Sequence, residues 1–207
     1  MEKTLTCILS ILLAVNLQAQ NIDIDLLKQF HGQRNTNLDM PMKYLSEAAP
    51  YAYIATPFLY YGMGLLKHNK QLKQKGFQQF VGLGLTTVAT YSLKRIVDRP
   101  RPGASYPMHI SPVIPLYQHS FPSGHSSSSF WWATSMTMAE PKWYVYVPAF
   151  AIAGTVAYSR MHMGVHYPSD IAAGAVLGVG SALVSKKITT LLQKNKRTSK
   201  YYNKIVF

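Results

Sequence analysis

Five apolar segments, at about 49–66, 77–93, 127–139, 144–158 and 171–185, carry few or no charged residues and alternate with polar links. At 1.5 Å per helical residue, runs of 13–18 residues fall slightly short of the ~30 Å hydrocarbon layer. Flanking Tyr, Trp and Ser residues extend them. Gly62-x-Gly64, Gly82-x-Gly84 and Gly174-x3-Gly178-x-Gly180 lie inside these runs. None follows a strand pattern, so they read as close helix packing through small residues rather than as nucleotide-binding loops. The expected fold is all-α: a multi-pass transmembrane helical bundle with five core spans. The alternative is a soluble helical core. Composition leans towards the membrane, with 48% hydrophobic and only 14% charged residues against roughly 25% charged in soluble domains.

The basic residues sharpen this reading. Net charge is +13. The cations are not spread along one amphipathic face, which argues against a nucleic-acid partner. Lys67, Lys70, Lys73 and Lys75 follow the first segment, Lys142 follows the third, and a tail from Lys186 to Lys204 follows the fifth. Alternating crossings put all three groups on one side, which the positive-inside rule makes cytoplasmic. Residues 20–48, 94–126 and 159–170 then lie outside, in a bacterial-type inner membrane. Residues 1–19 read as a secretory leader or as an uncleaved anchor, that is, a sixth span. The expected layout is 1–19 leader or anchor, 20–48 extracytoplasmic segment able to lie along the membrane surface, 49–185 membrane domain, and 186–207 basic cytoplasmic tail. The one cysteine, Cys7, lies in the leader, so the mature chain has no cysteine-based metal site.

Three clusters border the apolar segments on the outer face. In Lys94-x6-Arg101-Pro102, the prolines at 100 and 102 stop an ordinary helix, so Arg99 and Arg101 project from an irregular turn. Arginine supplies the planar, bidentate donors a phosphoryl group needs. Taken alone, the cluster also reads as a basic membrane flank. In Pro122-Ser123-Gly124-His125, Ser123 and Gly124 open a helix whose free N–H groups attract an anion, with His125 beside it as proton donor. In Ser159-Arg160-x5-His166-x3-Asp170, Pro168 suits a first helical turn, which sets Asp170 within reach of His166. A carboxylate there fixes the imidazole tautomer and makes His166 a nucleophile at phosphorus. His166 is expected at an exposed position near the helix start.

With the clusters in this order, the chain resembles the type 2 phosphatidic acid phosphatase superfamily, which includes bacterial acid phosphatases and vanadium haloperoxidases. The motifs K-x6-R-P, P-S-G-H and S-R-x5-H-x3-D are met at every defining position across 94–170. The resemblance implies that Lys94, Arg101 and Arg160 bind phosphate and that Ser123 and Gly124 cradle it. His125 is then the general acid, His166 the nucleophile that becomes phosphohistidine, and Asp170 its orienting partner. It implies neither metal nor cofactor. The implied substrate is a membrane lipid phosphate or diphosphate: phosphatidic acid, phosphatidylglycerol phosphate, polyprenyl diphosphate or lipid A. A soluble secreted acid phosphatase and a vanadate-dependent haloperoxidase are the alternatives. His162, His109 and His119 stand outside the pattern.

Overall fold

The computed structural model describes residues 22–206 apart from 118, with side chains up to Lys194. Residues 1–19, and with them the leader or anchor, lie outside the described residues. Every regular element among the described residues is helical. A helix over 22–32 (α1) and a 3-10 turn at Thr36–Leu38 lead into α2 (Asp39–Leu66). α3 (Lys70–Val97), the short α4 (Pro102–Ser105), α5 (Gly124–Ala139), α6 (Trp143–His162) and α7 (Pro168–Val206) follow.

The helices overrun the apolar segments. α2 and α3 have 28 residues each, about 42 Å at 1.5 Å per residue. α2 starts at Asp39 because Pro41 is acceptable in a first turn. Pro50 and Pro57 stay inside it, and Pro148 stays inside α6. By length and composition, one helix among the described residues, Pro168–Lys194 within α7, is apolar enough to cross a membrane. α7 continues unbroken past Lys186.

α5 is the central helix and packs on α7, α6, α3 and α2. Its contact with α7 depends on two glycines. A Cβ on Gly174 would come within 2.6 Å of the Ser123 carbonyl, and one on Gly178 within 2.2 Å of the Ser127 carbonyl. Gly180 faces open space, so the packing stripe is Gly174-x3-Gly178 alone. Gly82 and Gly64 are also tight, whereas Gly84 and Gly62 are not. Trp131, Tyr53, Val156 and Ala182 form the core around α5. Outward faces are apolar too: Phe58, Leu59 and Leu66 on α2, Val88 on α3, and Val176 and Leu183 on α7 are exposed.

The antiparallel order gathers the three motifs at one end. At the other end the lysine-rich α2–α3 turn meets the α5–α6 turn through the ion pair Lys75–Glu140 at 2.6 Å. α1 docks over the motif end. It buries Ile24 and Leu27 against Ile110 and Tyr167 while Ile22, Leu26 and Phe30 stay exposed.

Candidate active site

Each motif straddles a helix end. Lys94 lies in the last turn of α3, which closes with Asp98 in a left-handed conformation (φ 44°). Arg101 then N-caps α4, with Pro102 at its first position. Ser123 N-caps α5 and accepts from the Ser126 amide, leaving Gly124 and His125 in the first turn. α6 ends in a Schellman turn. The Gly164 amide donates to the Met161 carbonyl and the Val165 amide to the Arg160 carbonyl, with Gly164 at φ 69°. That reversal uses the five residues between Arg160 and His166, and α7 restarts at Pro168. The Ser123 amide donates to the Asp170 carbonyl at 2.9 Å, which ties the second motif to the third.

A cavity of about 730 Å³ opens between these ends, and Lys94, Arg101, Gly124, His125, Arg160 and His166 all line it. Ser123 and Asp170 are fully buried behind the wall. From the site the cavity continues along α2 and α3, past Pro50, Tyr53, Ile54, Leu83 and Tyr91.

His166 is 2% exposed, a correction to the exposed position expected from the sequence. Its burial follows from the Gly164 turn, which tucks the imidazole under Arg101 and against Asp170. His166 Nδ1 is 3.3 Å from Asp170 Oδ2, and Arg101 Nη1 is 3.2 Å from His166 Nε2. A carboxylate can only accept and a guanidinium can only donate. The network therefore puts the proton on Nδ1 and a lone pair on Nε2, facing the cavity. Burial pushes the His166 imidazole down to about 4, with Arg101 and Arg160 adding to the effect and Asp170 opposing it. His125, ahead of the apolar segment of α5, is pushed to about 3 by burial and by Arg160, His166, Arg101 and Lys94.

Both imidazoles are therefore neutral at pH 7, and the sign is testable. His166 protonates only as pH falls through about 4. Its imidazole resonance in detergent micelles, assigned by its loss in His166→Gln, should stay neutral down to pH 5. A midpoint near 6.5, the ordinary imidazole value, would contradict the burial of His166.

The cations keep donors free for an anion. Arg101 donates to the carbonyls of Tyr117 and Val165, at 2.7 and 2.9 Å. Lys94 Nζ donates to the carbonyls of His119 and Ser120, at 3.0 and 3.4 Å. Arg160 Nη1 donates to Ser46 Oγ at 3.0 Å, and its buried Nε has no partner among the described residues.

Five residues at the site carry no motif signal. Asp170 also accepts from Ser120 Oγ, from the Tyr167 amide at 3.0 Å and from Arg99 Nη1 at 2.9 Å. Asp23 and Ser169 complete that shell. One signal was available: Asp23, Asp25, Asp39 and Glu47 are half of the eight acidic residues of a basic chain, and all belong to the motif side. His162 is buried and 2.7 Å from Asp39 Oδ1, away from the cavity wall.

A family profile described as the PAP2 superfamily matches residues 75–194, more than half of the chain. The chain belongs to the PAP2 superfamily. Among the family's curated members, a lipid A 1-phosphatase of Rhizobium etli is 31% identical over 127 residues, 56% of this chain and 54% of that protein. An undecaprenyl-diphosphatase of Sulfolobus acidocaldarius is 27% identical over 187 residues, 87% of this chain and 86% of that protein. The chain thus spans about half the length of the Rhizobium relatives it matches. Aquifex aeolicus LpxE aligns with a TM-score of 0.66 at 26% identity, over 80% of this chain and 95% of LpxE. A transmembrane PAP2-type phosphatidylglycerolphosphate phosphatase of Bacillus subtilis shares the fold, with a TM-score of 0.67.

Proposed function

We propose that this PAP2 protein is an integral-membrane phosphatase that removes phosphate from a lipid phosphate or diphosphate through a phosphohistidine. The observation that carries this reading is one cavity with two kinds of wall. At one end stand Lys94, Arg101, Arg160 and the lone pair of His166 Nε2. Along the rest run the apolar and aromatic side chains of α2 and α3. A phosphoryl head fits the first part and a hydrocarbon chain the second. The outward apolar faces of α2, α3 and α7 suit lipid better than water.

The chemistry follows from the atoms present. Nε2 of His166 attacks phosphorus and the phosphorus–oxygen bond to the lipid breaks. The proton on His125 goes to the leaving oxygen. A water then attacks the phosphohistidine, His125 takes its proton, and phosphate leaves with His166 neutral again. Arg101, Arg160 and Lys94 bear the negative charge on the non-bridging oxygens. Burial and the neighbouring cations keep His125 neutral at pH 7, so the proton it delivers enters with the substrate phosphate.

The test is phosphate release by purified protein in detergent. The substrates are phosphatidic acid, phosphatidylglycerol phosphate, polyprenyl diphosphate and lipid A, with vanadate as inhibitor. Turnover of at least one of them, blocked by vanadate, is expected. No release from any of them, or turnover only of water-soluble esters, would refute the lipid assignment.

The site faces outward in this reading, because the lysine-rich turn, the Glu140–Lys142 turn and the end of α7 lie at the opposite end of the bundle. With Cys7 replaced by serine, a single cysteine at Met108, which is 94% exposed beside the site, should react with an impermeant thiol reagent on intact spheroplasts. One at Gln71 should react only after lysis. The reverse pattern would put the site in the cytoplasm.

A further inference from the structure

We infer that Arg99 and Asp23 are positioning residues for the His166–Asp170 pair, and that α1 is thereby part of the active site. This rests on the phosphatase reading above, and it assigns work to residues outside the three motifs. Arg99 lies two residues before Arg101 and resembles another phosphate ligand in sequence, but the structure gives its donors to carboxylates. Nη1 donates to Asp170 Oδ1 at 2.9 Å and to Ser169 Oγ at 2.7 Å, and Nη2 donates to Asp23 Oδ2 at 2.7 Å. Its guanidinium carbon sits 3.8 Å over the Tyr167 ring. Arg99 does not line the cavity.

The two oxygens of Asp170 are thus divided. Oδ2 faces His166 Nδ1 and also accepts from Ser120 Oγ and the Tyr167 amide, while Oδ1 is held by Arg99. The grip on Oδ1 adds to the Ser120 and Tyr167 bonds that keep Oδ2 turned toward the imidazole. Asp23 comes from α1 and is 5% exposed. Its Oδ1 accepts from the Ser169 amide at 2.9 Å, an orphan donor of the first turn of α7, and its Oδ2 also accepts from Ser169 Oγ. Asp23 therefore fixes the start of α7 and balances the charge of Arg99. Without it, Asp170 would face an uncompensated guanidinium and offer less negative potential to His166.

The pair consequently has a charge signature that a merely structural contact lacks. His166 is faced by Lys94 of α3, Arg101 of the α3–α4 turn, His125 of α5, Arg160 of α6 and Asp170 of α7, and none of these changes in the variants below. Arg99→Gln removes a cation behind Asp170. The carboxylate then stabilises the imidazolium more, and the His166 midpoint should rise by roughly one unit, the lower end of what a single neighbouring charge does. Asp23→Asn leaves the cation unbalanced, so the midpoint should fall below that of the wild type. The two variants have opposite signs.

The experiment is imidazole titration of His166 by NMR in micelles, paired with the rate of phosphoenzyme formation, for wild type, Arg99→Gln, Arg99→Lys and Asp23→Asn. Arg99→Gln is expected to lower kcat at least tenfold with KM within threefold of wild type. Arg99→Lys, which keeps the charge and loses the fork, should restore the midpoint while recovering kcat only in part. If Arg99→Gln raises KM with kcat and the midpoint unchanged, Arg99 is a phosphate ligand and the inference is wrong. If both variants shift the midpoint the same way, or neither does, the charge coupling from Arg99 and Asp23 to His166 is wrong. Should Arg99→Gln fail to fold, Asp23→Asn still decides: a midpoint not below that of the wild type overturns the inference. A wild type that forms no phosphoenzyme sinks the phosphatase reading instead, and leaves the titration to judge the coupling alone.

Discussion

His166→Ala is expected to abolish phosphate release, by about 10⁴-fold or more, the scale on which loss of a catalytic nucleophile acts. The lone pair on Nε2 lies at the cationic end of the cavity beside Arg101, and Asp170 keeps the proton on the other nitrogen. Substrate binding should survive, because Arg101, Arg160 and Lys94 remain. The decisive readout is chemical. Wild-type protein quenched during turnover should carry acid-labile, alkali-stable phosphate, as a phosphoramidate does, and the variant should carry none. Because His166 is buried, folding needs its own control. Asp170 retains Ser120, the Tyr167 amide and Arg99 as partners, so the melting point in detergent should fall only modestly. Phosphoenzyme persisting in His166→Ala would move the nucleophile elsewhere.

The gathering of the motif residues at helix ends was legible because it depends on spacing along the chain. Five residues between Arg160 and His166 are what a helix end, a left-handed glycine and a new helix start require. Three residues between His166 and Asp170 are one helical turn. The glycine stripe was legible for the same reason, although only Gly174 and Gly178 use it. What spacing cannot show is contact between distant segments. The Asp23–Arg99 pair joins residues 76 positions apart, and Ser46 meets Arg160 across 114. Neither leaves a period or motif in the sequence. Helix ends were also hidden, because apolar runs mark where lipid or core begins and not where hydrogen bonding stops. α2 and α7 therefore extend well past the segments that signalled them.

His125→Ala should cost about 10²- to 10⁴-fold on an alkyl phosphate, the usual contribution of a positioned general acid. The loss in kcat/KM, which reports phosphoenzyme formation, should be far smaller on an aryl phosphate. An alkoxide leaves poorly and needs its proton in the transition state, whereas a phenolate with electron-withdrawing groups leaves without one. His125 borders the cavity in the first turn of α5, next to Gly124, which also lines it. It therefore stands where a leaving oxygen can be reached while Arg160 and Arg101 hold the other oxygens. Formation of the phosphohistidine from an aryl ester should remain fast in the variant, while its hydrolysis slows, because His125 is also the base for the attacking water. The variant should accordingly accumulate phosphoenzyme on aryl substrates and form little on lipid substrates. Equal losses on both, or no accumulation, would remove His125 from proton transfer and leave it as a wall of the phosphate site.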